Sequence, residues 1–284
     1  MPATTVVRAE GPLLSHWLEV YTLASKRHLK SAMLSVADLQ GLLDSKHVNP
    51  DSFLLEMTRA GPTAAARLVI DHSRGCAHIS DLALSPERKN AGVELVDYIL
   101  GTTRNQGLLR LESEVLDYMS SSADVLSKYT FEPRQTYSHL RDLMTSPPES
   151  GIEVSTTEVM RRLGPLSIEE HCPLADLFEN AARKWRPVIG LRYELEPNVS
   201  VFGYQSEKIP TRGYLLIDSI GIIDPKNVIL TLKGALHHMY RDGVRDVKTK
   251  AEGDSVLQWA LTSIGFVIEF TSHKFVMDMY YSER

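Results

Sequence analysis

Cysteine is nearly missing from this chain, with only Cys76 and Cys172 among 284 residues. Two isolated thiols make neither a disulfide framework nor the paired spacing of a zinc site. No apolar run approaches the ~20 residues of a membrane helix, and the N-terminus has no signal-peptide core. A dense basic face is lacking too. The 31 basic residues are spread along a chain of formal net charge −5, which argues against a nucleic-acid partner. The 43% hydrophobic and 24% charged content is that of a globular protein, and the length suits two ordinary domains. The expectation is a reduced, cytoplasmic protein with no metal and no membrane span.

The stretch Cys76 to Gly107 is the most informative. Ile79, Leu82 and Leu84 mark a buried strand that also holds His78, Ser80 and Asp81. Ser85 and Pro86 suit an N-cap and first helical position. Val93, Val96, Ile99 and Leu100 then recur at helical spacing, and Gly107 is a plausible C-cap. A strand feeding a helix start directs unpaired N–H groups and the positive dipole end at one point. That is an anion site, and Arg88, Lys89, Asn90, Ala91 and Gly92 lie around it. The bland alternative is a surface loop with two solvated cations.

In chain order, Thr4–Ala9 is β-prone, Leu13–Ser25 is an amphipathic helix, and Ser35-Val-Ala-Asp38 resembles a capping box opening a second helix. Ser52–Arg59, Thr63–His72 and the strand at Cys76 read as antiparallel neighbours joined by Gly-Pro and Ser-Arg-Gly turns. Leu108–Val115 alternates, with Leu109, Leu111, Ser113 and Val115 on one face and Arg110, Glu112 and Glu114 on the other. A helix from Ser120 and a hairpin-like Phe131–Met144 close the half. Ser146-Pro-Pro-Glu-Ser-Gly151 is the best linker, which divides the chain into domains 1–146 and 147–284.

The second half repeats this order. Ser155–Leu163 is a strand candidate and Ile168–Lys184 a helix. Strands follow at Ile189–Leu195, Val199–Gln205 and Tyr214–Ile223, then a helix from Asp224-Pro225 to Gly243. Val244–Glu252, a helix over Asp254–Ile264, Gly265-Phe266 and a final strand pair complete it. Pro225, Gly243 and Phe266 follow Pro86, Gly107 and Phe131 at near-constant spacing, the mark of an internal duplication.

Each half resembles the GNAT N-acyltransferase superfamily, over nearly the whole chain and through element order more than side chains. The resemblance implies an α+β fold of two tandem domains, each a mixed, mostly antiparallel sheet flanked by helices. In that family the central strand ends in a splayed bulge, and a Q/R-x-x-G-x-G/A loop holds the pyrophosphate of coenzyme A. Here the loop falls on Glu87-Arg-Lys-Asn-Ala-Gly92, with Glu87 for Q/R, Asn90 for the first glycine, and Gly92 retained. The second half reads Asp224-Pro-Lys-Asn-Val-Ile229 and has no glycine, so the first half is the better donor site. The family's closing L-Y-x-x-x-G-F, whose Tyr protonates the leaving thiolate, has Leu126 and Leu261 at the Tyr place. Tyr129 is a nearby phenol, with packing under the final hairpin as its bland reading.

The resemblance implies transfer of an acyl group from a CoA or acyl-carrier-protein thioester to a small-molecule or peptide amine. Strand N–H groups around Leu82, Ala83 and Leu84 would polarise the thioester carbonyl, and Asp81, Glu112 or Glu114 would serve as base. For each carboxylate the bland reading is a solvent-facing strand residue, and Asp218 is the second-half counterpart of Asp81. The degenerate loop favours a carrier-protein or long-acyl donor. Two alternatives stand beside this reading: a lapsed GNAT-fold binding or scaffold protein, and a decarboxylase or hydrolase using the same thioester cleft. His237-His238 make no metal pair, since adjacent helical residues point about 100° apart. No Ser-His-Asp or Cys-His arrangement is assigned.

Overall fold

Three β-prone runs separated by short turns pair as neighbours because the turns leave no room for a crossover. The computed structural model describes residues 4–25, 35–44, 48–88, 90–149, 185–193, 196–219 and 224–279. The chain divides into two compact units. The first comprises 1–135, 169–181 and 273–284, and the second 136–168 and 182–272.

In the first unit, β1 (Thr5–Arg8), α1 (Leu13–Ser25) and α2 (Val36–Asp44) precede β2 (Phe53–Thr58), β3 (Gly61–Asp71) and β4 (Cys76–Leu84). Then come α3 (Val93–Asn105), β5 (Arg110–Leu116) and α4 (Ser120–Ser127). The capping box at α2 is made: Asp38 N–H donates to Ser35 Oγ at 3.1 Å, and Ser35 N–H to the Asp38 carboxylate at 2.8 Å. β1, β2, β3 and β4 pair antiparallel in order, and β5 lies parallel to β4. Residues 273–278 flank β5 on its other side, where Met279 N–H donates to the Leu109 carbonyl at 2.8 Å. All nine residues of β4 are buried, so both faces of this strand are covered. Trp17 packs against Tyr21 and Phe53 in a core completed by Leu39, Leu55, Ile79, Leu95, Ile99 and Leu111.

The second unit holds most of β6 (Glu132–Leu143), then β7 (Trp185–Tyr193), β8 (Glu196–Ser206) and β9 (Arg212–Ser219). α5 (Pro225–Arg241), β10 (Asp246–Glu252), α6 (Val256–Ser263) and β11 (Val267–Asp278) complete it. Its strand order is the first half of β11, then β6, β10, β9, β8 and β7. β10 is parallel to β9 and antiparallel to β6. Val199, Leu232, Leu236, Met239, Val247, Leu261 and Phe266 form its core. Gly213 is forced by packing, since a Cβ there would meet Met239 Cε at 2.5 Å and Val244 Cγ1 at 2.7 Å.

Several expectations need correction. Phe131–Met144 and the end of the chain form single twelve-residue strands, β6 and β11, instead of strand pairs. Neither run holds the Asn-Gly or Gly-X dipeptide that a tight hairpin needs, and Pro133 sits near the start of β6, where a missing N–H costs least. Helix α3 starts at Val93, not at Pro86. Asn90 (φ 62°) and Gly92 (φ 83°) are left-handed, and a right-handed helix cannot run through them. Leu109 is 64% exposed while Glu112 is buried, which breaks the alternation expected along β5. The strand expected at Ser155–Leu163 and the helix at Ile168–Lys184 lie outside the described residues.

The compact units also divide the chain differently from 1–146 and 147–284. β6 is encoded in the first half, yet Tyr137–Leu143 pair with Glu252–Asp246 in the second unit. The last residues, 273–284, belong to the first. Fragments 1–146 and 147–284, expressed separately, are therefore expected not to fold cooperatively, and co-expression is expected to restore a folded protein. Thermal melts of each fragment by circular dichroism check this.

Candidate functional site

β4 carries an irregularity that the rest of the site follows. Its pairing with β3 shifts between Ala65↔Ala83 and Arg67↔Ser80, so Asp81 and Leu82 together oppose Ala66. This is a β-bulge, with Asp81 in the left-handed region at φ 55°. The bulge frees the Ala66 carbonyl, which accepts from Trp17 Nε1 at 3.1 Å. Asp81 itself accepts from Arg67 Nε at 2.6 Å, with side-chain exposures of 1% and 0%. Asp81 is thus neither solvent-facing nor an available base. Its carboxylate neutralises a guanidinium that has no water to turn to.

Parallel pairing of β4 with β5 ends at Ile79↔Ser113, although β4 runs on to Leu84 and β5 to Leu116. The two strands part there. Ser113 Oγ donates to the Ile79 carbonyl at 2.9 Å, and Ser122 Oγ, from α4, to the Leu82 carbonyl at 2.7 Å. Ser85 N–H donates the other way, to Thr63 on β3 at 2.8 Å. Ala83 shares the edge of Ser85, whereas Leu82 and Leu84 direct their backbone groups to the open edge. Glu114, half-buried, lies on the part of β5 beyond the last residue paired with β4.

Glu112 lies lower, inside the paired part of the ladder opposite His78. Its carboxylate is 3.6 Å from His78 Nδ1 and accepts from Lys274 Nζ at 2.9 Å. Cys76 Sγ approaches His78 Nε2 at 3.4 Å. Burial pushes the Glu112 carboxyl up, but the Lys274 hydrogen bond, its charge and that of His78 outweigh this and leave it lowered. Burial, and then Glu112, push the Cys76 thiol up, so it stays protonated and unreactive. Sequence reading missed this Cys-His arrangement. Cys76 and His78 share a face by their i, i+2 spacing, but Lys274 arrives from the far end of the chain.

The loop after β4 is closed upon itself. Arg88 N–H donates to Ser85, Ala91 N–H to Arg88, and Val93 N–H to Asn90. Gly92 N–H and Leu95 N–H, at the start of α3, both donate to the Glu56 carboxylate at 3.1 Å. Glu56 is 3% exposed and also accepts from Thr63 Oγ1 at 2.6 Å. Its only sequence signal is an acid amid the apolar residues of 53–57. A Cβ on Gly92 would meet Leu84 Cδ2 at 2.4 Å, so the glycine makes room for β4. Arg88 and Asn90 are exposed, Ala91 is buried, and Lys89 lies outside the described residues.

Tyr129 is tied to α3, donating to the Val93 carbonyl at 3.0 Å. Burial, then the Asp97 carboxylate, push its phenol up to about 12, which makes it a weak proton donor at neutral pH. It packs on α3, not under a hairpin. In the second unit, Asp224 caps α5 through Lys226 N–H at 2.9 Å, Pro225 follows as first helical residue, and residues 220–223 lie outside the described set. Among the described residues no group of three or more His, Cys, Asp or Glu is placed to hold a metal, and no helix is long and apolar enough to cross a membrane.

Two outcomes test this geometry. Asp81→Ala strands a buried guanidinium, and urea unfolding is expected to show a loss of about 3–5 kcal/mol, while Arg67→Met/Asp81→Leu recovers much of it. Glu112, lowered in the fold, contributes stability above the ordinary carboxylate value and loses it as pH falls. The stability gap between wild type and Glu112→Gln, read by denaturant midpoints, is therefore expected at pH 7 and gone well below pH ~4.

No family model matches the chain, and no curated protein matches it in sequence. Solved structures do match. A GCN5-related N-acetyltransferase from Sphaerobacter thermophilus superposes with TM-score 0.66 at 11% identity, over 97% of this chain and 95% of that one. A tandem GNAT protein from the clavulanic acid biosynthesis pathway gives TM-score 0.61 at 14% identity, over 100% of both chains. A GCN5-related glucosamine N-acetyltransferase region of a fungal multi-domain β-N-acetylglucosaminidase gives 0.63 at 13%, over 98% of this chain and 38% of that one. These matches show that the chain has the fold of tandem GNAT proteins.

Proposed function

We propose that the protein transfers an acyl group from a pantetheine thioester to an amine, using the open edge of β4 in the first unit. The observation that carries this reading is the parting of β4 from β5 after Ile79↔Ser113, which leaves the Leu82 and Leu84 edge without a strand. An extended, amide-bearing arm can add there as a strand would. The fold neighbours are named for acetyl transfer to nitrogen, which supports the same chemistry here.

In the reaction, the amine nitrogen attacks the thioester carbonyl carbon and the C–S bond breaks. Backbone N–H groups of Leu82 and Leu84 stabilise the carbonyl oxygen as it gains charge. Glu114, half-buried on β5 just past the last residue paired with β4, takes the proton from the attacking amine, directly or through water. Asp81, buried in the bulge against Arg67, and Glu112, buried inside the paired ladder, take no part. With Tyr129 bonded to Val93, sulfur leaves as thiolate and collects its proton from solvent.

Thiol release from acetyl and long-chain acyl thioesters, screened against small amines and peptide N-termini, tests the reading. Glu114→Gln is expected to lower kcat about 10²–10⁴-fold with donor affinity unchanged. Absence of thiol release with every donor, in protein whose thermal melt no thioester shifts, favours the alternative of a GNAT-fold binding protein. The bonded loop and phenol fit that alternative as well.

A further inference from the structure

Carboxylates seldom sit dry inside a β-strand without a reason in their partners. Glu56 sits where β2 and β3 lose register, between Glu56↔Ala64 and Met57↔Pro62, so Thr63 is the extra residue and turns its hydroxyl to Glu56. The Thr63 carbonyl takes the Ser85 N–H at the start of the loop, and Glu56 takes Gly92 and Leu95 N–H at its end. One buried pair thus clamps both ends of the segment that would have to cradle a pyrophosphate. Together with the bonds of Arg88, Ala91 and Val93, five N–H groups around the start of α3 already have internal acceptors. The other unit carries its own acid at the matching helix start, Asp224, followed by a proline that has no N–H to offer.

We infer that Glu56 is a donor-specificity residue: it stands in for the pyrophosphate and directs the site to thioesters of pantetheine without an attached ADP. This rests on the acyl-transfer reading for its reaction, but the exclusion of phosphate stands on the geometry alone. A second anion brought to Gly92 and Leu95 meets a fixed negative charge that has no water around it, so it must displace Glu56 or bind elsewhere. An acyl chain on a carrier protein's pantetheine, or free acyl-pantetheine, loses nothing by this. Acyl-CoA gains nothing from its nucleotide.

The test is calorimetric titration of wild type and Glu56→Ala with inorganic pyrophosphate and with CoA, beside kcat/KM for acetyl-CoA, acetyl-pantetheine and an acetylated carrier protein. Wild type is expected to bind no pyrophosphate and to use acetyl-pantetheine about as well as acetyl-CoA. Glu56→Ala is expected to bind pyrophosphate and to tighten CoA about tenfold or more, a difference calorimetry resolves readily. If the carrier exceeds free pantetheine in wild type, the carrier is the source; equal rates point to the free thioester. Pyrophosphate binding by wild type, a tenfold preference for acetyl-CoA, or no gain in Glu56→Ala overturns the inference. Should Glu56→Ala not fold, Glu56→Gln removes the charge while keeping an acceptor and is held to the same gain. Failure of every donor to react in wild type defeats the acyl-transfer reading instead, and the pyrophosphate titrations still decide the role of Glu56.

Discussion

The buried pair of Arg67 and Asp81 is the constraint on which the first unit depends. A guanidinium with 0% exposed side chain needs a partner, and Asp81, one residue past the Ser80 that Arg67 opposes, supplies it from β4. Asp81 does so at φ 55°, and that turn is the bulge. Once the bulge is made, β4 cannot keep its ladder with β5, and the carbonyls it frees need donors from elsewhere. Trp17, Ser113 and Ser122 provide them. A single ion pair therefore fixes the opening of the cleft, the packing of α1 and the seat of α4.

A second carboxylate solves a different problem next door. Helix starts leave N–H groups without partners, and α3 begins in a buried position where water cannot supply them. Glu56 satisfies two of them from β2. An external phosphate would satisfy them equally well, so structural completeness and anion binding compete for the same donors. Here the internal group holds them, and this sets the chemistry the loop offers.

Much of the fold was legible in the amino-acid order. The helical face of Val96, Ile99 and Leu100, the Ser35–Asp38 box, the three antiparallel strands and the αL residue Gly107 all follow from local rules. The left-handed tolerance of Asn90 did as well, since Asn reaches φ 62° at small cost. The site was less legible. Asp81, Glu112 and Tyr129, all proposed as catalytic, have partners 14 to 162 positions away in sequence, among them Arg67 and Lys274. A strand pattern tells which face a carboxylate is on, but not whether a cation waits on that face.

The sequence by itself determined much of the order of the described elements, because periodicity, capping and turn residues act over a few positions. It also determined that the segment before α3 differs from the GNAT loop it was compared with, at Glu87 and Asn90. Only the tertiary structure decided which strands join which unit, since β6 and residues 273–284 have no local mark of their partners. The same holds for the closed helix start: a Glu 36 positions before Gly92 meets it only when β2, β3 and α3 are packed together. Long-range pairing of buried charge is a property of the assembled fold, and no window of sequence contains both halves of the pair.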